Sequence, residues 1–435
     1  ITPVGYMPGE RAVVLLTDAE QGVRRLLVRD LQTGRLTRPL AELSRFDIDD
    51  AAINDSRDMI AVVSNQDGYG VLGVYTLPDF RPVATPAMEQ GVVDVVSFRG
   101  RTLVWNLSNS RTPGLAFATE FDPALSAKGE GESVQTLPAT ATRQLTFADM
   151  QGLDPSTFPA PELVRYTSRD GLVIPAFLWL PAGAQKGTPT PFVINFHGGP
   201  EGQHRPSFDR TALYLVSRGF GLLEPNVRGS TGYGRAFQMA DDYKSRWASV
   251  TDGVDAARFL AAEGYAVPGR IAGWGGSYGG FMATATLIED TEGAERESRP
   301  PFFGAAITQV GIQNFETFLE RTSGYRRKLR EAEYGPLTDR EFLRSVSPLH
   351  RADKINVPLM ISHGLNDPRV PVDEAMQLAE ALQRRDLDPE LLFFHDEGHG
   401  LAKLDNRLLF AERMSRFLHR TIGAGAGPMP PRWTP

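Results

Sequence analysis

Apolar and polar positions follow two different patterns along the chain, and the change falls near residue 160. In the first 125 residues, apolar stretches of strand length are separated by polar turns. Three such segments align as a weak repeat, Tyr6–Asp18, Ile53–Asn65 and Ser97–Asn109, and their starts lie 47 and 44 residues apart. Two of them are followed by another apolar strand and a turn, at Leu26–Thr33 and Val71–Pro78.

A period of about 40–45 residues made of short strands is typical of the blades of a β-propeller. We therefore predict an incomplete β-propeller of about three blades, which covers residues 1–160 together with its linker. A generic antiparallel β domain is the alternative. Three blades do not close a ring, since propellers contain about four to eight. Either a propeller segment is missing from this chain or the domain is an open fragment, and a homo-oligomer is left open. The polar segment Ala124–Gln135 is predicted to be a loop.

From residue 162 onward, short apolar strands alternate with helical segments, which indicates a mostly parallel sheet. The predicted strands are Leu163–Thr167, Ile174–Leu180, Pro191–Phe196, Gly219–Pro225, Arg270–Trp274, Ala305–Val310, Pro358–His363 and Glu390–His395. The predicted helices include Asp252–Glu263, Tyr278–Ile288, Val372–Arg385 and Asn406–Thr421. We assign residues 161–422 to a doubly wound α/β domain and residues 423–435 to a Gly/Pro-rich tail.

Composition excludes several kinds of chemistry. The 435 residues include no cysteine, so disulfides, thiolate metal sites, iron–sulfur clusters and a cysteine nucleophile are excluded. The formal net charge of −7 comes without a block of Lys or Arg, so neither a nucleic acid nor an anionic membrane is expected as a partner. No apolar run approaches the roughly 18 residues that a membrane span needs. We read Ile1 as an internal or processed start, and expect a soluble, cytoplasmic protein while leaving a periplasmic or secreted one open.

The strongest chemical signal is the pentapeptide Gly275-Gly276-Ser277-Tyr278-Gly279. A strand candidate precedes it and a helix candidate rich in small residues follows, as in the nucleophile elbow of the α/β-hydrolase fold. Such an elbow forces the serine into a strained turn, and the residues two before and two after it must be small. Gly275 and Gly279 meet that demand. We therefore predict Ser277 as the nucleophile, with the N–H of Tyr278 beside it as an oxyanion donor; a glycine-rich loop with a passive serine is the alternative.

A serine nucleophile needs a base, and the base needs an orienting acid. In this fold the acid and then the histidine follow the serine along the chain. Asp367 comes just past the penultimate predicted strand, and His399 lies between two glycines after the last one. We predict Asp367 as the acid and His399 as the general base, with His395 as the alternative base.

Five motifs, taken together and in this order, resemble the prolyl oligopeptidase family of serine peptidases. They are HGGP at His197–Pro200, NVRGSTGYG at Asn226–Gly234, GWGGSYGG at Gly273–Gly280, HGLNDPRVP at His363–Pro371 and EGHG at Glu397–Gly400. The resemblance covers nearly the whole chain and implies a catalytic hydrolase domain with an N-terminal β-propeller. The HGGP form looks most like the acylaminoacyl-peptidase branch, because the prolyl branch carries a tyrosine where this chain has His197.

The resemblance also implies roles for two further residues. It places a second oxyanion donor at the backbone N–H of Gly199. It also implies that Arg369 contacts a peptide carbonyl of the substrate near the scissile bond, which suits a permanently charged guanidinium with several donors. A structural salt bridge is the alternative for Arg369.

The segment Val310–Phe318 follows the strand after the elbow helix, at the sheet edge where ligands bind in open α/β folds. Phe315 and Phe318 are three residues apart and would share one face of a helix. We predict that they line an apolar specificity pocket together with Tyr278, and that the pocket is not restricted to proline. Packing of both phenylalanines in the domain core is the alternative.

These observations predict a serine peptidase that hydrolyses short peptides, including N-acylated ones, through an acyl-enzyme on Ser277. A carboxylesterase with the same triad is the first alternative, since ester and amide hydrolysis use the same groups. A non-enzymatic interaction scaffold is the second. No cofactor and no metal are predicted, because the sequence has no HExxH motif, no cysteine ligand set and no P-loop.

Overall fold

The computed structural model describes residues 1–19, 22–121 and 141–423, and the backbone of residues 136–137. The chain forms two compact units. The first comprises Ile1–Ala160 with two short later segments, Arg205–Asp209 and Thr231–Phe237, and the second comprises the rest. The predicted loop at 124–135 and the predicted tail beyond residue 423 lie outside the described residues.

The first unit contains three four-stranded antiparallel sheets, each formed by strands that follow one another along the chain. The first sheet has β1 (Thr2–Tyr6), β2 (Ala12–Thr17), β3 (Arg25–Asp30) and β4 (Leu36–Thr37). The second has β5 (Asp47–Ile53), β6 (Met59–Gln66), β7 (Tyr69–Thr76) and β8 (Pro82–Val83). A short strand, β9 (Thr85–Pro86), leads to the third sheet, which has β10 (Val92–Arg99), β11 (Thr102–Asn109), β12 (Thr112–Glu120) and, after β13 (Thr136–Leu137), β14 (Thr142–Gln144). β13 pairs with β9 in parallel.

The weak repeat of the sequence corresponds to the same part of each sheet. Each repeated segment covers the turn after the first strand and the whole or most of the second strand. The first and second strands of every sheet also show a register shift, at Gly5, Asp50 and Ser97. A bulge at the same place in each sheet strengthens the local twist of the first strand. The predicted blade-like β structure is confirmed.

The second strand of the middle sheet, β6, is buried on both of its faces. Successive side chains of a strand point to opposite faces, and β6 is apolar at consecutive positions. Met59, Ala61 and Val63 pack in one core with the third sheet. Ile60 and Val62 pack in another core with the first sheet. This is why the segment reads as a continuous apolar run instead of an alternating one.

The second unit is built on an eight-stranded sheet in the order β15-β16-β18-β17-β19-β20-β21-β22. The strands are β15 (Glu162–Thr167), β16 (Val173–Trp179), β17 (Phe192–Phe196), β18 (Gly221–Pro225), β19 (Ile271–Gly276), β20 (Phe303–Gln309), β21 (Leu359–Gly364) and β22 (Glu390–Phe394). The pairs β15–β16 and β16–β18 are antiparallel, and the remaining pairs are parallel. All eight strands were predicted from the sequence, with ends that differ by one or two residues.

Helices lie on both faces of this sheet, as the packing around β19 shows. In chain order, the helices of the described residues are α1 (Arg210–Ser217), α2 (Arg235–Gln238), α3 (Arg246–Ala262), α4 (Tyr278–Glu297), α5 (Phe315–Arg321), α6 (Gly324–Tyr334), α7 (Arg340–Ser345), α8 (Asp373–Gln383) and α9 (Leu404–Thr421). Most of α2 belongs to the segment Thr231–Phe237 of the first unit. Ala272 and Trp274 of β19 share a core with α1 and α9. Gly273, between them, faces α4, where an added Cβ would lie 3.5 Å from the Cα of Ala283. The predicted doubly wound α/β fold is confirmed.

The elbow helix α4 runs nine residues beyond the predicted end at Ile288. The continuation is rich in acidic residues, which is why the sequence pattern did not indicate burial. In the structure, buried Asp290 accepts hydrogen bonds from the backbone N–H groups of Phe302 and Phe303, at 2.6 and 3.0 Å. The guanidinium of Arg299 pairs with the same carboxylate at 2.8 Å. A buried carboxylate with these partners no longer opposes helix formation.

Within the described residues, each helix is too short or too polar to cross a lipid bilayer.

The two-sided burial of β6 predicts unequal effects of truncation in the second sheet. Ile60→Ala should lower the free energy of unfolding of the first unit by about 2–5 kcal/mol, because it removes a fully buried side chain and leaves a cavity. Val71→Ala, at a position that is 42% exposed on β7, should change it by less than about 0.5 kcal/mol. Chemical denaturation of the two variants measures the difference. Equal effects would contradict the burial of Ile60 in the core shared with the first sheet.

Candidate active site

Ser277 occupies the turn between β19 and α4 in a backbone conformation that side chains rarely adopt. Its φ is 60° and its ψ is −120°. A non-glycine residue in such a conformation costs about 1–3 kcal/mol and persists only where the surroundings hold it. The N–H of Ser277 donates to the carbonyl oxygen of Gln309 at 2.9 Å, and its own carbonyl accepts from the N–H of Gly280 at 3.0 Å. The strained turn is thus fixed at both ends by backbone hydrogen bonds.

Gly275 and Gly279, two residues before and after Ser277, lie where neighbouring backbone leaves no room for a side chain. A Cβ on Gly279 would lie 2.0 Å from the carbonyl oxygen of Phe196 at the end of β17. A Cβ on Gly275 would lie 2.4 Å from the carbonyl oxygen of Gly279 and 2.6 Å from that of Phe196. All three distances are to backbone oxygens, so rotation of a side chain would not relieve them.

Asp367 and His399 lie on the loops after β21 and β22 and are hydrogen-bonded to each other. The distance from His399 Nδ1 to Asp367 Oδ2 is 2.7 Å. The other carboxylate oxygen accepts the N–H groups of Arg369 and Val370, at 2.8 and 3.0 Å. Burial tends to raise the pKa of Asp367, but the hydrogen bonds from His399 and from these backbone groups outweigh it and lower the pKa. Asp367 is therefore ionised at neutral pH.

Ser277 and His399 open into the same cavity of about 260 Å³. Its wall contains residues from the loop after β17, the segment after β20, helix α6 and the loop after β21. The lining residues are Gly198, Gly199, Ser277, Ile312, Phe318, Thr322, Ser323, Arg326, Arg330, Tyr334, Pro368, Arg369, Val370 and His399. The structure thus brings together the predicted nucleophile, the predicted base, the Gly199 loop and Arg369.

The Gly198–Gly199 segment approaches the serine closely. A Cβ on Gly198 would lie 3.5 Å from the Cβ of Ser277. Gly199 has a φ of 130°, in the region that favours glycine, and its carbonyl oxygen accepts hydrogen bonds from Arg330 Nη1 and from the Tyr334 hydroxyl, both at 3.1 Å. The loop backbone is therefore held beside Ser277 by helix α6.

His197, at the head of the same segment, is a structural residue. Its Nε2 lies 2.7 Å from Ser230 Oγ, and its Nδ1 lies 3.0 Å from the carbonyl oxygen of Gly198. Burial lowers the pKa of His197 to about 3, so the imidazole is neutral. It supports the turn of the loop and adds no charge to it.

Arg369 lines the cavity with an exposed side chain. Among the residues that the structure describes, no carboxylate lies within salt-bridge distance of its guanidinium. The structural salt bridge considered for this residue is therefore not present in that part of the chain. Its charge faces the space in which a substrate would lie.

The two phenylalanines of α5 have different surroundings, although they lie on one helix. Phe318 lines the cavity. Phe315 is fully buried in the core, where its ring packs against Phe281 and Tyr334 at centroid distances of 5.0 and 4.9 Å. The helical face they share is broad enough for one ring to reach the cavity while the other packs beneath it.

The side chain of Tyr278 also points away from the cavity, into a buried polar cluster. Its hydroxyl contacts Arg246 Nη1 and Ser249 Oγ, both at 2.9 Å, and Asp241 Oδ2 at 3.1 Å. Arg246 is fully buried, pairs with Asp241 and donates to the carbonyl oxygen of Glu333 at 2.7 Å. The cluster anchors the first residue of α4, directly after Ser277. No local pattern in the sequence indicated it, since Asp241–Ser249, Tyr278 and Glu333 lie far apart in the chain.

The arginines of α6 are the lining residues that the sequence analysis missed. Arg326 and Arg330 line the cavity together with Tyr334, so the wall is mixed and cationic instead of apolar. Their spacing of four residues could have indicated a shared helical face. Nothing in the sequence, however, indicated that this face turns toward the serine.

No group of three or more His, Asp or Glu side chains suited to a metal ion occurs among the described residues.

The sheet is mostly parallel and carries a strand–serine–helix elbow. An Asp–His pair lies on the loops after β21 and β22. Together these features define the α/β-hydrolase fold of serine hydrolases. Residues 206–425 match the prolyl oligopeptidase family, peptidase S9. The chain belongs to the prolyl oligopeptidase family, and the resemblance noted in the sequence is confirmed.

Known relatives and structures agree with this assignment. Dipeptidyl aminopeptidase BIII of Pseudoxanthomonas mexicana is 33% identical over 280 residues, which are 61% of this chain and 39% of the relative. Acylamino-acid-releasing enzyme 1 of Oryza sativa subsp. japonica is 26% identical over 49% of this chain and 28% of its own length. The structure of a puromycin-hydrolyzing peptidase of Mycobacterium tuberculosis matches with a TM-score of 0.82 at 24% identity, over 97% of this chain and 63% of that chain. The present chain spans two fifths or less of the length of these two curated relatives.

The close approach at Gly279 predicts that even one methyl group there disrupts the elbow. Gly279→Ala should lower the melting temperature and abolish labelling of Ser277 by a fluorophosphonate, because the new Cβ would meet the Phe196 carbonyl. Gly324→Ala is the matched control, since an added Cβ there has no atom within 4 Å. Normal labelling of the Gly279 variant would contradict the geometry described for the elbow.

Buried Glu374 of α8 is hydrogen-bonded to the segment 313–317, which lies between the cavity-lining residues Ile312 and Phe318. Its carboxylate accepts the N–H groups of Gln313 and Asn314 at 3.0 and 2.7 Å, and the hydroxyl of Thr317 at 2.6 Å. Burial raises the pKa of Glu374 to about 7 in spite of these hydrogen bonds. An ordinary glutamate has a pKa of about 4.3. The contribution of this group to stability is therefore present below about pH 4 and is lost as the pH rises through about 7.

Glu374→Gln should flatten the pH dependence of stability. The amide keeps an acceptor for the backbone N–H groups and cannot ionise, so the free energy of unfolding should fall less between pH 4 and 7 than in the unmodified protein. Denaturant titrations across this range measure the difference. Glu380→Gln, on the exposed face of the same helix, should leave the profile unchanged. Parallel profiles for the Glu374 variant and the unmodified protein would refute the assignment.

Proposed function

We propose that residues 161–422, which contain the sheet of the second unit, form the catalytic domain of a serine peptidase that hydrolyses short peptides through an acyl-enzyme on Ser277. The observation that carries the proposal is the joint presence of Ser277 and the Asp367–His399 pair at one cavity. Residues 1–160, which make up most of the first unit, are proposed as an accompanying domain of blade-like sheets.

The proposed chemistry follows from which nitrogen of His399 is already engaged. Since Nδ1 is bonded to Asp367, Nε2 is the nitrogen left to accept the proton of Ser277. The serine oxygen then forms a bond to the carbonyl carbon of the substrate. The backbone N–H groups of Tyr278 and Gly199 stabilise the negative charge on the carbonyl oxygen.

The tetrahedral intermediate collapses when the bond to the leaving amine breaks. The protonated His399 donates its proton to that amine, and the acyl group remains on Ser277. Water then repeats the sequence: His399 accepts its proton, the water oxygen attacks the acyl carbon, and the proton returns to Ser277 as the carboxylic acid leaves. Ionised Asp367 stabilises the imidazolium formed in both halves.

Peptide substrates, including N-acylated ones, are proposed from the family and from relatives named as dipeptidyl aminopeptidase and acylamino-acid-releasing enzyme. Arg369 is proposed to bind a carbonyl oxygen of the peptide, because its guanidinium carries several donors and lines the cavity. Phe318 is proposed as part of the surface on which the substrate rests. Ester hydrolysis would use the same groups, so the assays include an aryl ester beside peptide anilides.

Ser277→Ala should remove hydrolysis and fluorophosphonate labelling without changing the melting temperature, because only the attacking oxygen is lost. The expected decrease in kcat is at least about 10³-fold. Ser345→Ala, an exposed serine on α7, should behave like the unmodified protein. A peptide anilide and an aryl ester with the same acyl group are measured in parallel. If Ser277→Ala kept more than a few per cent of the activity on both the anilide and the ester, Ser277 would not be the nucleophile.

The choice of base is tested by a matched pair of histidine variants. His399→Gln should reduce kcat by orders of magnitude, whereas His395→Gln should not, since His395 is exposed and lies outside the cavity lining. The reverse result would assign the base to His395.

A further inference from the structure

Helix α6 presents a row of side chains to the cavity. Arg326, Arg330 and Tyr334 all line it, and their spacing of four residues places them on one face of the helix. Ser277 and His399 line the same cavity. The polar groups of α6 therefore face the space next to the proposed scissile bond.

The charged side chains that line the cavity are all positive. The described lining includes Arg326, Arg330 and Arg369 but no aspartate or glutamate. The guanidinium of Arg330 is already engaged, with Glu333 at 2.8 Å and with the carbonyl oxygen of Gly199 at 3.1 Å. Arg326 is half-buried, and no carboxylate of the described chain lies within salt-bridge distance of it.

A guanidinium in a partly closed cavity favours a planar anion with two acceptor oxygens. The fork of N–H donors matches a carboxylate in a bidentate arrangement, and such charge-assisted hydrogen bonds are stronger than neutral ones. Removal from bulk water strengthens the attraction further. A substrate without an acidic group would leave the Arg326 charge uncompensated.

We propose that Arg326 forms a carboxylate-binding subsite of the cavity, so that the enzyme prefers substrates with an acidic group beside the scissile bond. This inference rests on the proposed function and names a substrate class for it. Arg326 is the specificity-determining residue, since Arg330 is occupied in holding Glu333 and the Gly199 loop. The carboxylate belongs either to an Asp or Glu side chain before the cut or to the free carboxyl terminus of a short leaving peptide.

Two pairs of substrates separate these sources. The first pair consists of peptide anilides with Glu or Gln before the cut. The second consists of short peptides with a free or an amidated carboxyl terminus. In one of the two pairs, the substrate with the carboxylate should show a kcat/KM at least about 10-fold higher than its amide counterpart. This ratio corresponds to the stronger hydrogen bonds that charged groups make. The pair that shows the preference identifies the source of the carboxylate.

Arg326→Gln should reduce that ratio to near one. Lys328→Gln is the matched control, because it removes the same charge from the same helix at an exposed position outside the cavity lining, and it should keep the ratio. Arg326→Lys, which keeps the charge but loses the fork, should give an intermediate ratio. Equal melting temperatures verify that the variants fold alike.

Two results would overturn the proposal. One is a ratio near one for both substrate pairs in an unmodified protein that hydrolyses them. The other is a preference that survives in Arg326→Gln. Calorimetry on the Ser277→Ala protein distinguishes this failure from failure of the proposed function, because it needs no turnover. It compares binding of N-acetylglutamate α-amide with that of N-acetylglutamine α-amide, and binding of N-acetylalanine with that of its amide. A preference for the acid there, lost on Arg326→Gln, would support the subsite even if the chain hydrolysed none of the substrates.

Discussion

Three stretches of backbone meet beside Ser277 with no space for a side chain between them. The end of β17, the end of β19 and the first turn of α4 come together at Phe196, Gly275 and Gly279, and each glycine faces a backbone oxygen at a distance that no Cβ tolerates. This contact brings the loop after β17 beside Ser277 and fixes the angle at which α4 leaves the sheet. The positive φ of the serine, the position of the Tyr278 N–H and the approach of Gly198 all depend on it.

The features that follow from such strict local demands could be predicted from the sequence. An elbow requires glycines at fixed offsets from the serine, and these stand at Gly275 and Gly279. The order of strands then determined where the acid and the histidine had to lie, and the structure pairs Asp367 with His399 at the expected loops. The blade-like repeat was visible for a different reason, because a polar turn followed by an apolar strand recurs at spacings of 47 and 44 residues.

Features that depend on contacts between distant segments could not be predicted in the same way. The acidic second half of α4 looked like the end of a helix, since the partners of Asp290 lie in the following loop and strand. Arg246 reads as a surface residue until Asp241, Tyr278 and the Glu333 carbonyl surround it. The pocket was expected to be apolar because the phenylalanines of α5 were conspicuous, whereas the orientation of α6 decides the character of the wall.

The hydrogen bonds from Arg330 and Tyr334 to the Gly199 carbonyl join two parts of the cavity that are 131 and 135 residues apart in the chain. The same short helix thus lines the cavity and supports the backbone beside Ser277. Under the proposed function, one helix would therefore influence both substrate binding and catalysis. A laboratory or evolutionary exchange of α6 for a helix of different sequence would alter both at once, unless the two donors to Gly199 were retained. Substitutions that change substrate choice should therefore occur at positions of α6 that do not contact Gly199. Arg330 and Tyr334, which donate to its carbonyl oxygen, should stay unchanged.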